Sequence, residues 1–458
     1  MSNQVKNKTT NENASLEQFG YEQQLKRALG LPAVCLFGFA YLAPCTIFSY
    51  YGLIQGSTHG MMSLSYLIAT IAMFFTALSY RQMVKAYPIA GSVYNYVSRA
   101  IHPNLGFVSG WAILLDYILL PMINYIIASL YIPILLPNVP TQVDIIVIIL
   151  IVTTVNLIGV KIMSTVDNIL IVLQLAFVVA CIIFAVKVIV QHDYSIIDLS
   201  GIYSSKAMGD VGFGTVVAGS SILCLCFLGF DSVTTLAEET HDPGKTVGRA
   251  LLIVSLSAGA MFVIATYLFQ LAWPNGWKSL DPDNGSYQLV GYLAGQFMGT
   301  LLCVVMIIAC FGSAISSQAS CARILFGMGR DGRLPKKFFG HVSEKTKVPN
   351  FNVILIGVAS LLALTLDLEK ASTMINFGAL LGFTLVNISV IAHYWVKEKR
   401  RDGASVFKYI ILPVLGACVT IYLLANLGRW ALTIGCIWLA VGVVVLAINT
   451  KGFRKKLE

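Results

Sequence analysis

Asp116 and Asp231 are the only acids well inside the long apolar runs of this 458-residue chain, and no Lys or Arg lies deep in any run to offset them. At the centre of a membrane helix an ionised Asp costs about 2.5–3.5 kcal/mol. An acid kept there without a basic partner implies protonation, local hydrogen bonding or a cationic ligand. Asp231 closes the run Phe227-Leu228-Gly229-Phe230-Asp231-Ser232, where it would equally cap a helix starting near Ser232. Asp116 stands between Trp111 and Pro121 in GWAILLDYILLPMIN, where a helix-packing role competes with ligand contact. The chemistry open to this pair is holding a cation or carrying a proton.

Other polar residues pose similar choices. Glu238 and Glu239 follow Asp231 by one to two turns and would pair with Lys245 or Arg249, or form a gate ion pair. Ser313, Ser316, Ser317 and Ser320 share one helical face, which suits close packing or a coupling-ion site built of hydroxyls. Asn376 and Gly378 raise the same question further along. The stretch from Tyr87 to Tyr96, which includes Tyr94, is too apolar for a free linker and reads as a gate-like hairpin, a short helix or a packed connector. No Walker A, HExxH, GxSxG or HRD-type motif occurs. The ten cysteines lack disulfide or metal spacing, so neither an enzyme nor a metal site is expected. No cofactor is called for; a coupling proton or sodium ion is the one inorganic partner to consider.

The elements that carry these residues follow from composition. Hydrophobic residues make up 57% of the chain and charged residues 12%, half the charged share of a soluble domain. Runs of roughly 20 apolar residues cross a bilayer as helices. Twelve are expected: spans 1 to 12 at 31–56, 61–80, 105–132, 143–160, 168–190, 211–237, 247–272, 297–322, 350–366, 371–396, 408–428 and 431–450. Of the 31 Lys and Arg residues, 26 fall on connections that share a side with the N-terminus and 5 on the other side. Cytoplasmic loops carry that excess, so both termini are expected in the cytoplasm of a multi-pass cell-membrane protein. The net charge of +9 is thereby a topology signal, and no nucleic-acid partner is expected. Residues 1–30 and 451–458 read as cytoplasmic tails, with no signal peptide.

Two spans break their own pattern. In span 1, Pro44 has no N–H for the carbonyl of Ala40, four residues back in Gly38-Phe39-Ala40-Tyr41-Leu42-Ala43-Pro44. In span 6 the interruption is the Gly229–Asp231 stretch. Such breaks survive only where they line a cavity or are buried in protein. Spans 1 and 6 occupy corresponding places in a five-plus-five arrangement, which points to the central site of an inverted-repeat transporter.

Four motifs carry a resemblance: YPIAGSVYNYV after span 2, FLGFDSVTTLAEET in span 6, RILFGMGRDGRLP after span 8 and NFGALLGFTLVN in span 10. Together they resemble the amino acid–polyamine–organocation transporter superfamily, from about residue 26 onward. The resemblance implies an all-α membrane protein of the leucine-transporter type, with helices 1 and 6 broken. A first inverted repeat would span 31–190, a second 211–396, and two peripheral helices 397–450. GFAYLAP, LLDYILLPMIN and LGFDSVTTLAEET are similar to bacterial putrescine importers, which implies a diamine substrate taken up with an ion gradient. Those importers carry an acid near the position of Ser49, and some proton-coupled relatives carry a lysine where Gln174 stands here.

The expected site follows. The freed carbonyls of Gly38 and Ala40, with Asp231, would receive one ammonium. Tyr41, Phe227, Phe230 and Tyr117 would wall the aliphatic chain. Asp116 would meet the far end or carry a proton, while Tyr94, Glu238, Glu239, Ser316 and Ser317 are gate or coupling candidates. An amino-acid permease or exchanger is the alternative, and a transporter-like nutrient receptor a second.

Overall fold

Long apolar segments leave their backbone no partner but themselves, and the chain answers with helices. The structure, a computed structural model, describes residues 27, 29–89, 92–158, 163–330, 332, 334–343, 346 and 348–450. The tails 1–26 and 451–458 lie outside these residues, as do positions 90 and 91 of YPIAGSVYNYV and positions 331 and 333 of RILFGMGRDGRLP. Among the described residues eleven helices are long and apolar enough to cross a membrane: Leu31–Ser49, Met62–Ala86, Pro103–Leu135, Thr141–Ile158, Ile171–Gln191, Leu199–Glu239, Pro243–Ala272, Gln296–Arg330, Leu368–Lys397, Gly403–Ala425 and Arg429–Ile448. The ninth expected span forms a shorter apolar helix, Asn350–Leu364. At 1.5 Å per residue it is about 22 Å long, less than a hydrocarbon core of about 30 Å. Pro349 precedes it, and its last residues, Ser360–Leu364, tighten into a 3-10 turn.

Span 1 leaves helical geometry after Leu42. Ala43 takes φ 52°, and a short helix resumes at Thr46–Ser49. Thr46 repairs part of the damage. Its hydroxyl donates to the Leu42 carbonyl at 2.9 Å and also to that of Ala43. Span 6 is α-helical over Ser205–Leu223 except for a kink at Gly212 (φ 76°), tightens to 3-10 over Cys224–Phe227, and is extended at Leu228. Gly229 then takes φ +112°, and a 3-10 segment continues over Asp231–Glu239. Just ahead of span 1, Leu29 pairs with Thr240, the residue that follows this segment. Leu29 N–H donates to the Glu239 carbonyl at 3.0 Å, and His241 N–H donates to Leu29 at 3.1 Å.

Spans 3, 6 and 10 are innermost. In the most apolar stretch of span 10, 78% of residues are buried, against 22% in span 12. Span 10 is tied to its neighbours by buried polar pairs. Ser372 meets Tyr50 of span 1 at 2.8 Å, and Asn387 accepts from Ser79 of span 2 at 2.6 Å. Thr384 meets Thr420 of span 11 at 2.8 Å. Between membrane helices each such bond contributes about 0.6 kcal/mol on average. Span 12 is held to span 3 by reciprocal indoles: Trp111 donates to the Trp438 carbonyl at 2.9 Å and Trp438 to the Trp111 carbonyl at 2.8 Å.

Candidate functional site

The two interruptions meet. A Cβ on Gly229 would come within 2.4 Å of a Tyr41 ring carbon and 3.0 Å of the Leu42 nitrogen, so the sharp turn of span 6 lies directly against span 1. On one side of this crossing a cavity opens between spans 1, 3, 6 and 8. Its polar lining comes from Tyr41, Thr46, Ser49, Asn124 and Ser313, and its apolar lining includes Leu120, Leu228 and Met306. Asn124 spends an amide hydrogen on the Leu120 carbonyl of its own helix, at 3.0 Å. The lining mixes these polar groups with a larger apolar share and carries no formal charge.

The charge lies beside it. Asp116 and Asp231 are 5% and 3% exposed and within electrostatic reach of each other. Among the described residues no ion pair reaches either acid. The backbone of Gly229, Asp231 and Ser232 lies near the Asp231 carboxylate, and no side-chain cap bond closes this start of the 3-10 segment. That leaves Asp231 Oδ2 and Asp116 Oδ1 buried without a hydrogen-bond partner. Among the hydroxyls that share this condition are those of Tyr41, Tyr80, Ser92 and Tyr96. Tyr80 and Tyr96 both lie close to Asp231, short of hydrogen-bond geometry. Buried polar atoms are ordinarily partnered, and unpartnered groups near two carboxylates are chemically able to take up a proton or a polar guest.

The other expected residues divide. Tyr117 is buried near Tyr41, Asp116 and Asp231. The Phe230 ring packs at 5.8 Å on Tyr80 and 5.5 Å on Phe383, flooring the acidic cluster. Phe227 instead packs edge-on against Phe262 of span 7 at 5.5 Å, apart from the cavity lining. Gly38 also lies apart. The helix persists to Leu42, and a Cβ on Gly38 would come within 2.9 Å of Val233 and 3.0 Å of Val254. Ala40, half-buried, is four residues before Pro44, whose missing N–H leaves its carbonyl without a helical donor.

Among the gate and coupling candidates, Tyr94 lies over Gly110 of span 3. Glu239 contributes its carbonyl to the Leu29 pairing. Lys245, expected opposite Glu238 or Glu239, pairs with Asp242 at 3.3 Å. Ser317 donates to the Ala314 carbonyl at 3.1 Å and Ser316 is half-buried; of the serine face, Ser313 is the one that lines the cavity. Sequence reasoning missed Asn124, Tyr80 and Tyr96. Asn124 was the readable one, a polar residue two turns beyond Asp116 on the same helix.

With the geometry in place, kinship can be asked of the whole chain. The sequence profile of the amino acid permease family matches residues 43–448. The chain belongs to the amino acid permease family. This permease is 36% identical over 437 residues to the low-affinity putrescine importer PlaP of Escherichia coli (strain K12), covering 94% of this chain and 95% of that one. It is 25% identical to the branched-chain amino acid permease BcaP of Bacillus subtilis (strain 168), over 95% of both chains. A crystal structure of a manganese transporter mutant from Eremococcus coleocola shares the fold, at a TM-score of 0.57 and 12% identity, covering 94% of this chain and 98% of that one. The permease is therefore a multi-pass membrane transporter of the leucine-transporter type, not an enzyme, and its substrate is a small molecule of the amino acid or cation class.

Proposed function

We propose that this permease imports a small organic cation, putrescine or a similar polyamine, by alternating access with both termini in the cytoplasm. The observation that carries the reading is the pair of buried acids with orphaned carboxylate oxygens and no basic partner among the described residues. One ammonium sits between Asp116 and Asp231, under Tyr41 and Tyr117. The chain passes the helix crossing, and the second ammonium reaches the uncharged cavity. The likeness to a putrescine importer supports the same reading.

The test is uptake of labelled putrescine by proteoliposomes, against a panel of monoamines, cationic amino acids and branched-chain amino acids, with proton and sodium gradients imposed separately. Saturable putrescine uptake that monoamines compete with weakly is the expected result. Uptake of a zwitterionic amino acid with no putrescine competition overturns the reading in favour of an amino-acid permease or exchanger. Binding without flux identifies a receptor.

Ser49 gives a gain-of-function check. It lines the cavity where the far ammonium is placed, and no carboxylate lines that cavity. Ser49→Asp is expected to lower the half-saturating putrescine concentration about tenfold, one charge-assisted hydrogen bond's worth. The same variant leaves a monoamine's value unchanged.

A further inference from the structure

Three consecutive residues of span 10 face three different neighbours, as the 100° step of a helix dictates. Asn376, fully buried, donates its side-chain amide to the carbonyls of Ser221 and Ile222, at 2.9 Å each, just ahead of the point where span 6 leaves α-helix. The ring of Phe377 fills the notch at Gly435 of span 12. Gly378 lies against span 3 at the acid itself: a Cβ there would come within 2.5 Å of the Ala112 carbonyl and 3.3 Å of the Asp116 nitrogen. One rigid turn thus grips the helix leading to Asp231 with one residue and the backbone of Asp116 with another.

We propose that Asn376 and Gly378 are positioning residues that together fix the spacing between Asp116 and Asp231. They act through the acids. Both carboxylates must meet one ammonium, and a displacement of about 1 Å in such a site costs up to about 100-fold. Asn376 fits the role because its amide holds two carbonyls at the place where span 6 tightens from α-helix to 3-10. Gly378 fits it because the obstacle to a side chain is backbone, which cannot swing aside. One turn further along, Gly382 also faces span 3, but a Cβ there would meet the tip of Ile113 at 3.3 Å, a flexible side chain.

The inference rests on the reading that the two acids receive the ammonium, and the experiment separates the two. Putrescine uptake is measured in proteoliposomes for Gly378→Ala, Gly382→Ala, Asp116→Asn, Asp231→Asn and the double variant Gly378→Ala/Asp116→Asn. Gly378→Ala is expected to raise the half-saturating concentration about tenfold with maximal uptake per transporter within twofold, while Gly382→Ala stays within twofold on both. On the Asp116→Asn background, Gly378→Ala should add less than twofold, because its target is already gone. Equal effects of the two glycine substitutions, or full additivity in the double variant, overturn the positioning role and leave the substrate reading intact. Wild-type half-saturation in both Asp variants overturns the substrate reading itself. Should Gly378→Ala not reach the membrane, Asn376→Ser with and without Asp231→Asn makes the same test through span 6.

Discussion

Asp231→Asn raises the half-saturating putrescine concentration by roughly 10- to 100-fold, the range set by losing a charge-assisted contact of about 1.5–3 kcal/mol. The substitution is informative because Asn caps a helix as well as Asp does. The backbone of Gly229, Asp231 and Ser232 near the carboxylate still faces a side-chain oxygen there. If Asp231 served only as a cap, uptake by the Asn variant would match wild type. Asp231→Glu keeps the charge at the expense of one methylene in a filled space, and should retain more uptake than Asn. Kinetics in proteoliposomes, normalised to transporter content, decide between these outcomes. An Asn variant indistinguishable from wild type removes Asp231 from the site.

Gly229→Ala has the second large effect, by a different route. Its φ of +112° lies where a residue with a side chain is strained by about 1–3 kcal/mol. The added methyl would also lie 2.4 Å from a Tyr41 ring carbon, so span 6 must move off span 1 or Tyr41 must leave the crossing. Both routes disturb the contact that joins the cavity to the acids. Transport should fall at least about tenfold, and the melting temperature in detergent should drop as well. A variant that melts and transports like wild type would mean that the crossing is looser than its geometry implies.

Scarcity made the acids legible. With so few ionisable residues in the apolar runs, Asp116 and Asp231 stood out before any coordinate was known, and Pro44 and Gly229 announced where helix would fail. Other features were hidden for physical reasons. Tyr80 and Tyr96 read as ordinary aromatic packing, because a sequence does not say whether a tyrosine's hydroxyl is partnered. The carbonyl expected free at Gly38 sits within the helix, because a proline deprives the carbonyl four residues back, that of Ala40, and the helix persists to Leu42. The ninth span has the hydropathy of its neighbours; its shortness depends on where Pro349 starts it and where the 3-10 turn ends it. Asn376 and Gly378 were visible as residues, yet which helix each one touches depends on the packing of distant spans.

The pairing of Leu29 with Glu239 and His241 has an energetic corollary. It is made of main-chain groups alone, so it is indifferent to the side chain at position 29. When water can replace both bonds, each contributes about 0.5–1.5 kcal/mol net. Parting the first half of span 1 from the second half of span 6 therefore costs about 1–3 kcal/mol at this point, a population ratio of about 5 to 150. A ligand that bound the parted form better by that same free energy would offset these two bonds.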